Sequence, residues 1–384
     1  LLKKGELKIR PYWRPSFYRD EKIPPLEEVL EKLRRHMKRS VQMRTVSDVP
    51  LGAFLSGGID SSLITAFLVQ CSSQRVKTFN IAFEDPSFDE SQHAQEVAHH
   101  LGTDHYEEKL TPRNMLEILP GVIQIMDEPF ADASAIPTYL LSKFTRERVT
   151  VVLSGDGGDE LFYGYPTYQA HQIARWFPRW IASFARNLAD LLPVSDNNIS
   201  FDFKVRRFLA GLKYAPVLRH QIWLGSFEPG QKRQLLTPEV RRRLEGKDEF
   251  EILWRHWNRC DSFEDLDRLC HTDLRFYLQD DILFKVDRMS MAHSLEVRAP
   301  YLDHELVEFV SSLRPELKLK GLTTKYVLKQ LAKPILPPKI IHRKKKGFGI
   351  PIAKWIKSDL KEIFREVLSE KVLSREGLFN PRWV

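Results

Sequence analysis

Pro50-Leu51-Gly52-Ala53-Phe54-Leu55-Ser56-Gly57-Gly58-Ile59-Asp60-Ser61-Ser62-Leu63 is the stretch on which the reading of this chain turns. Residues 50–55 form a short apolar run that predicts a buried strand, and residues 63–69 predict a buried helix. Between them lies the loop Ser56–Ser62, whose adjacent glycines let the backbone approach an anion closely. Successive N–H groups at a helix N-terminus make a nest for phosphate, and Ser56, Ser61 and Ser62 add hydroxyl donors. An acid is out of place in a purely anion-binding loop. Asp60 therefore reads as a Mg²⁺ ligand that bridges to phosphate. The signature G-x-x-x-x-G-K-[ST] is absent, which counts against γ-phosphoryl transfer. A flexible Gly-Ser turn is the plain alternative, and the flanking strand, the helix and the acid all weigh against it.

Working outward, residues 76–83 predict a second strand, and residues 89–101 a helix that Gly102 can end in a left-handed conformation. Residues 105–108 and 150–153 predict two further strands. Upstream, residues 26–42 are amphipathic, with Leu26, Val29, Leu30, Leu33 and Met37 on one helical face. Short apolar strands alternating with helices predict an α/β fold built on a doubly wound parallel sheet. The sheet core is expected over about 45–165. From about 166 to 384 strand-like runs vanish, so a mostly helical second half is expected.

The run at 150–153 leads into a second glycine-rich loop, Ser154-Gly155-Asp156-Gly157-Gly158-Asp159-Glu160. Ligands of open parallel sheets collect outside the carboxyl ends of the strands, so both loops should face one crevice. Three carboxylates within five residues repel one another unless a metal or another cation joins them. The reading assigns Asp159 to Mg²⁺ and Asp156 to general-base duty, and has Glu160 cap or brace the following helix. A solvated Asp-Gly surface turn is the alternative.

Four separated motifs, Ser56–Ser62, Ser154–Glu160, Met289–Asp303 and Arg343–Phe348, resemble the synthetase domain of the glutamine-hydrolysing asparagine synthetases and their relatives. The resemblance runs from about Leu26 to near the end of the chain. It implies the ATP-pyrophosphatase fold of the adenine-nucleotide α-hydrolase type, with ATP and Mg²⁺ bound. A carboxylate would attack the α-phosphate, giving an acyl-adenylate and pyrophosphate, and ammonia would then displace AMP. By resemblance, Gly57, Gly58, Asp60 and the loop serines match the pyrophosphate cradle, and Asp159 the second metal-associated acid. Phe54, Leu55, Ile81 and Ser154-Gly155 match the adenosine-lining positions. Asp156 matches the acid that takes a proton from ammonia, where Glu is frequent in the family. Lys345 matches a lysine that stabilises phosphate charge; the residues alone leave Lys344, Lys345 and Lys346 equivalent. Phe130–Pro137 resembles a stretch edging the acceptor pocket.

L-Aspartate is the default acceptor, and sugar acids are used by relatives. A tRNA-base-adenylating enzyme with a similar loop and a catalytically silent interaction domain are the other readings. In the charge-dense segment 280–303, Arg298 paired with Glu296 or Asp303 reads as scaffold. Trp176, Trp180, Trp254 and Trp257 read as core, and His93, His99 and His100 as surface residues rather than metal ligands.

The net charge of +8 is spread along 384 residues and suits solvated helix faces and an anionic substrate better than nucleic acid. Hydrophobic residues make up 42%, and no apolar run reaches the roughly 18–20 residues of a membrane span. With no secretory signal, and with Cys71, Cys260 and Cys270 at no metal-like spacing, a cytoplasmic protein with reduced thiols is expected. Oligomeric state stays open, a homodimer among the options. Residues 1–24, with the proline-stiffened run 9–15, read as a linker following an N-terminal glutaminase domain, and the C-terminus reads as truncated. The resemblance places the glutaminase nucleophile, a cysteine, at the start of that missing domain. Free ammonium is therefore the nitrogen source expected of this chain, and glutamine-dependent product formation by it would contradict that expectation.

Overall fold

The computed structural model describes residues 2–3, 5–17, 24–177, 200–343 and 345–384. Its centre is a five-stranded parallel sheet of β1 (Leu51–Phe54), β2 (Lys77–Phe83), β3 (Asp104–Leu110), β4 (Val151–Leu153) and β5 (Glu296–Arg298). The spatial order is β3-β2-β1-β4-β5, so the order reverses between β1 and β4. Gly52 pairs with Val152 across that junction and with Lys77 on its other side. A parallel sheet must be covered on both faces, and successive residues divide accordingly. Leu153 joins one apolar cluster with Leu63, Phe67 and Val97, while Val152 joins another with Phe79, Leu140 and Phe144.

The helices beside the sheet follow from their apolar spacing. Helix α1 (Leu26–Met43) buries Val29, Leu33, Met37 and Val41, one stripe at a four-residue interval. Helix α2 (Ile59–Cys71) is buried continuously from Ile59 to Leu68, with the polar residues Asp60, Ser61, Ser62 and Thr65 included. It starts earlier than the sequence suggests, so the first loop is shorter and Asp60, Ser61 and Ser62 lie in the first helical turn. Helix α3 (Ser91–Leu101) ends at Gly102 in the left-handed conformation (φ 68°). Helix α4 (Pro112–Ile125) and helix α5 (Ala135–Arg146) follow.

The second half is helical, with one correction. Strand β5 lies at Glu296–Arg298 and pairs with β4, in a region where no strand is expected from the sequence. Three edge residues, one exposed and two half-buried, are too few to show a period. Arg298 donates from Nε to Glu296 Oε1 (2.6 Å) and from Nη1 to the carbonyls of Arg44 and Val46 (both 2.8 Å), so it ties the sheet edge to the end of α1. Asp303 instead pairs with Arg44 (3.1 Å) and accepts from the N–H groups of Glu305 and Leu306. Residues Asp273–Leu283 wind as a π-helix, continued by helix α6 (Phe284–Met291).

A third cluster holds Phe17, Tyr163, Tyr168, Trp257, Leu269 and Cys270, with Trp254 packed against it. Trp176, expected in the core, is 84% exposed because the helix carrying its side of the chain ends at Ala174; Trp180 lies outside the described residues. Within this cluster Asp267 and Lys318 are both fully buried and 3.3 Å apart, and Tyr163 donates to the same carboxylate at 2.5 Å. Removing one partner of a buried pair leaves the other charge uncompensated. Lys318→Met should therefore destabilise the chain by roughly 3–5 kcal/mol in urea unfolding, and a loss below about 1 kcal/mol would show that Tyr163 and its neighbours hold Asp267 unaided.

Candidate functional site

The two glycine-rich loops leave the carboxyl ends of β1 and β4, the strands that flank the reversal of order, and they touch. A Cβ on Gly155 would come within 2.9 Å of Ser61 N, and one on Gly158 within 2.8 Å of Asp60 Oδ1. Glycine at both positions is thus a condition of contact between segments almost a hundred residues apart. In the first loop Gly57 adopts φ 67°, and a Cβ there would meet the His93 backbone at 2.5 Å, so the loop lies flat on the start of α3. Ser61 Oγ sits 3.3 Å from Ser56 N and 3.2 Å from Gly58 O, which closes the turn.

Between the loops lies a cavity of about 260 Å³. Phe54, Leu55, Ser56, Gly58, Asp60 and Ser61 line it from the first loop, and Ser154, Gly155, Asp156 and Asp159 from the second. Lys345 lines it from a distant segment. Gly57, Ser62 and Ile81 do not reach its wall. Ser62 is fully buried beneath the loop, and Ile81 packs with Phe79 and Phe83, while Phe79 and Asn80 of the same strand face the cavity.

The acids are organised by lysines. Lys325 Nζ donates to Asp60 Oδ2 and lies 2.6 Å from Asp159 Oδ1, while Lys345 Nζ donates to Asp159 Oδ2 at 2.5 Å. Lys325 holds a left-handed backbone (φ 53°), a strained conformation for a lysine. Gly164 makes room for it, since a Cβ there would fall 2.1 Å from both Lys325 Cε and Asp159 Oδ1. Burial pushes Asp159 up, but the two lysines more than offset it and hold its carboxyl well below the usual range. Asp60 is left raised, because burial and the charge of Asp159 outweigh the opposing charges of Lys325 and Lys345. Lys345 loses some basicity to burial and regains more from Asp159 and Asp60, reaching about 12.

Asp156 is half-buried and accepts from Ser154 Oγ at 2.8 Å. Burial raises its pKa, against smaller opposing effects of Ser154, Lys285 and Lys345, which favours a base that can hold a proton. Glu160 caps no helix but braces the following one, since Tyr165, whose hydroxyl donates to it, is the residue that precedes the helix Pro166–Ala174. It lies inside the turn Gly158–Leu161, buried, with Tyr165 OH donating to it, and burial and the charge of Asp159 push it up to about 8.

Several polar residues at the cavity are not singled out by the sequence, Lys325, Lys285 and Glu90 among them. Lys325 follows an unremarkable turn, and only the surplus of acids in the second loop signalled that some cation must meet them. Lys285 donates to Asp132 Oδ2 and Ser134 Oγ, both at 2.6 Å, and so joins α6 to the stretch before α5. Arg343 donates to the carbonyl of Gly57 at 2.8 Å and pairs with Glu90, anchoring the segment that carries Lys345 to the first loop. Lys346 Nζ reaches only the carbonyl of Asp89 (3.4 Å), and Lys344 lies outside the described residues.

Among the described residues no group of three or more His, Cys, Asp or Glu could hold a metal by itself. His93, His99 and His100 form no such group. A magnesium ion, however, is ordinarily held by one or two carboxylates together with substrate phosphates. Asp60 and Asp159 share one lysine, and Asp60 Oδ1 is buried with no hydrogen-bond donor among the described residues. This donor set fits a divalent cation brought by a triphosphate.

Comparison with known proteins gives a family match over most of the chain. The asparagine synthase family model matches residues 32–384. Asparagine synthetase (glutamine-hydrolyzing) 1 of Bacillus subtilis (strain 168) is 33% identical over 367 residues, 95% of this chain and 56% of that protein. Asparagine synthetase (glutamine-hydrolyzing) 3 of the same organism is 25% identical, over 90% of this chain and 52% of its own length. Amidase chyE of Penicillium rubens is 23% identical, over 96% of this chain and 59% of its own length. The chain thus spans a little more than half the length of these relatives. No helix among the described residues is long and apolar enough to cross a membrane.

If Lys325 holds Asp60 and Asp159 together, Lys325→Met should lower stability by roughly 3–5 kcal/mol, and adding Asp60→Asn should restore part of it. Urea unfolding of the two variants checks this; equal losses in both would mean that Lys325 and Asp60 are not coupled.

Proposed function

Because this chain belongs to the asparagine synthase family, we propose that it joins a carboxylate to ammonia at the expense of ATP, through an adenylated intermediate. The observation that carries this reading is the contact of two glycine-rich loops around Asp60, Lys325, Asp159 and Lys345, with Asp156 in the same cavity. The order β3-β2-β1-β4-β5, with apolar clusters on both faces, supports a doubly wound sheet of the adenine-nucleotide α-hydrolase type whose ligand sits at the reversal of order.

In this reading Phe54, Leu55, Phe79, Asn80 and the Ser154-Gly155 backbone hold adenosine. The first loop and the α2 N-terminus take the phosphates. Asp60 and Asp159 would hold Mg²⁺, which supplies positive charge to the phosphate oxygens. An acceptor carboxylate oxygen attacks the α-phosphorus, the bond to the β-phosphate breaks, and pyrophosphate leaves with its new charge facing Lys345. Ammonia then attacks the acyl carbon, the carbon–oxygen bond to AMP breaks, and Asp156 takes the surplus proton from nitrogen. Asp is one methylene shorter than Glu, so Asp156 reaches less far into the cavity than a glutamate would. L-Aspartate is the acceptor this reading favours, giving L-asparagine; a sugar acid or another carboxylate is the alternative. The greater length of the relatives supports a glutaminase domain supplying ammonia in the whole protein, with glutamine as donor.

The test separates the two half-reactions. With aspartate, ammonium and Mg²⁺, the chain should release pyrophosphate from ATP. Asp156→Asn should lose about 10²–10⁴-fold in amide formation while keeping aspartate-dependent exchange of labelled pyrophosphate into ATP. Failure to release pyrophosphate with any carboxylate tried would overturn the proposal, and equal loss of both half-reactions would remove Asp156 from base duty.

A further inference from the structure

Tyr163 and Lys325 both hold left-handed backbones (φ 54° and 53°), and they stand side by side. Lys325 N donates to the carbonyl of Phe162 (3.1 Å), and Gly164 makes room for the Lys325 side chain. Such a conformation persists only where the surroundings over-determine it. What supports Tyr163 lies away from the cavity. Its buried ring stacks on Tyr168 with centroids 4.6 Å apart, its hydroxyl donates to Asp267, and Lys318 Nζ stands 4.5 Å over its face. Lys318 Nζ also lies 5.5 Å from the centre of the Phe17 ring, so one ammonium joins Tyr163 to the N-terminal segment. The turn from Lys318 to Lys325, closed by pairing of Lys320 with Thr323, thus bears the Phe17 contact at one end. At its other end it bears the clamp on Asp60 and Asp159. The N-terminal segment itself is held at several points. Pro15 and Phe17 are buried, Phe17 N and Ser16 Oγ donate to the two oxygens of Asp261 (2.8 and 2.5 Å), and Trp13 Nε1 donates to Glu308 (2.6 Å). Ser262, the next residue after Asp261, donates to Asp267 at 2.9 Å.

We propose that residues 13–17 are a strap whose docking sets the geometry of the Lys325 clamp and, through it, the affinity of the cavity for a nucleoside triphosphate. Phe17 is a positioning residue in this arrangement. It packs on Lys318, Lys318 supports Tyr163, and Tyr163 keeps Phe162 and Gly164 where Lys325 requires them. With the strap lifted, Lys318 loses one of its two aromatic faces and the left-handed turn at Tyr163 loses support. Lys325 then holds Asp60 and Asp159 less firmly, and the two glycine-rich loops drift apart. The strap is therefore a handle: tension on the residues before Trp13 is felt at the site. The coupling of strap to clamp rests on geometry alone, and only its effect on affinity rests on the nucleotide reading above.

Hydrogen exchange on the whole chain, read by mass spectrometry, tests the coupling without any chemistry. Two variants release the strap from opposite sides. Phe17→Ala empties its socket, and Asp261→Ala removes an exposed acid that neither enters the core nor lines the cavity, so it should leave folding intact. In both, the amides of Gly164 and Lys325 should exchange at least about fivefold faster, while those of β2 stay within about twofold of the parent. Titration with MgATP should show affinity about threefold to tenfold weaker in Asp261→Ala. Unchanged protection of Gly164 and Lys325 in Asp261→Ala, or loss spread evenly over the sheet in that variant, would overturn the proposal. So would MgATP affinity equal to the parent's. A parent that binds no MgATP, yet whose Gly164 and Lys325 amides loosen when the strap is released, would refute the nucleotide reading and leave the coupling of strap to clamp standing.

Discussion

The ammonium of Lys325, lying between the carboxylates of Asp60 and Asp159, is the interaction on which the rest of the site depends. Each acid stands at the end of a different central strand, and each loop exposes backbone N–H groups that an anion needs. Two buried carboxylates this close would drive their loops apart by like-charge repulsion and by the cost of losing water. One shared cation reverses the sign of that interaction. The strained backbone of Lys325 and the missing side chain of Gly164 are the local costs of putting the cation there.

Around this pair the chain adds a second tie. The segment that begins at Arg343 grips the outer carbonyl of Gly57 with one residue and Asp159 with another, so it spans both loops within three residues. Arg343 on the first loop, Lys345 on the second and Lys346 on the carbonyl of Asp89 make the cavity a joint product of the sheet and of a segment about two hundred residues further on. The phosphate-facing wall is therefore fixed by charge, while Phe54, Leu55 and Phe79 shape the remainder by packing.

Much of this was legible in the sequence, and what was not has physical reasons. Strands β1, β2 and β4 announce themselves as apolar runs, and the glycines and acids of Ser56–Ser62 and Ser154–Glu160 announce an anion site with a cation in it. Helix α2 begins earlier than its apolar run suggests because Asp60, Ser61 and Ser62 look like loop residues; they are polar residues serving a helix N-terminus. Strand β5 was invisible because three edge residues carry no period. Lys325, Lys285 and Glu90 could not be singled out, since a lysine or glutamate that pairs across the fold looks in sequence like one that faces water. Only the arithmetic of unpaired acids pointed to such partners, without naming them. Trp176 shows the opposite error, a large aromatic at helical spacing that the end of its helix leaves exposed.

The central claim is that both loops serve one nucleotide triphosphate, with Asp60 and Asp159 sharing its metal. A crystal structure with α,β-methylene-ATP and Mn²⁺ tests it most directly, because manganese can be located by its anomalous scattering. The account predicts a manganese peak within coordination distance of both carboxylates, beside the Lys325 ammonium and not in its place, in contact with phosphate oxygens cradled by Ser56–Ser62. Manganese bound away from either aspartate, or phosphates outside the crevice between β1 and β4, would contradict it.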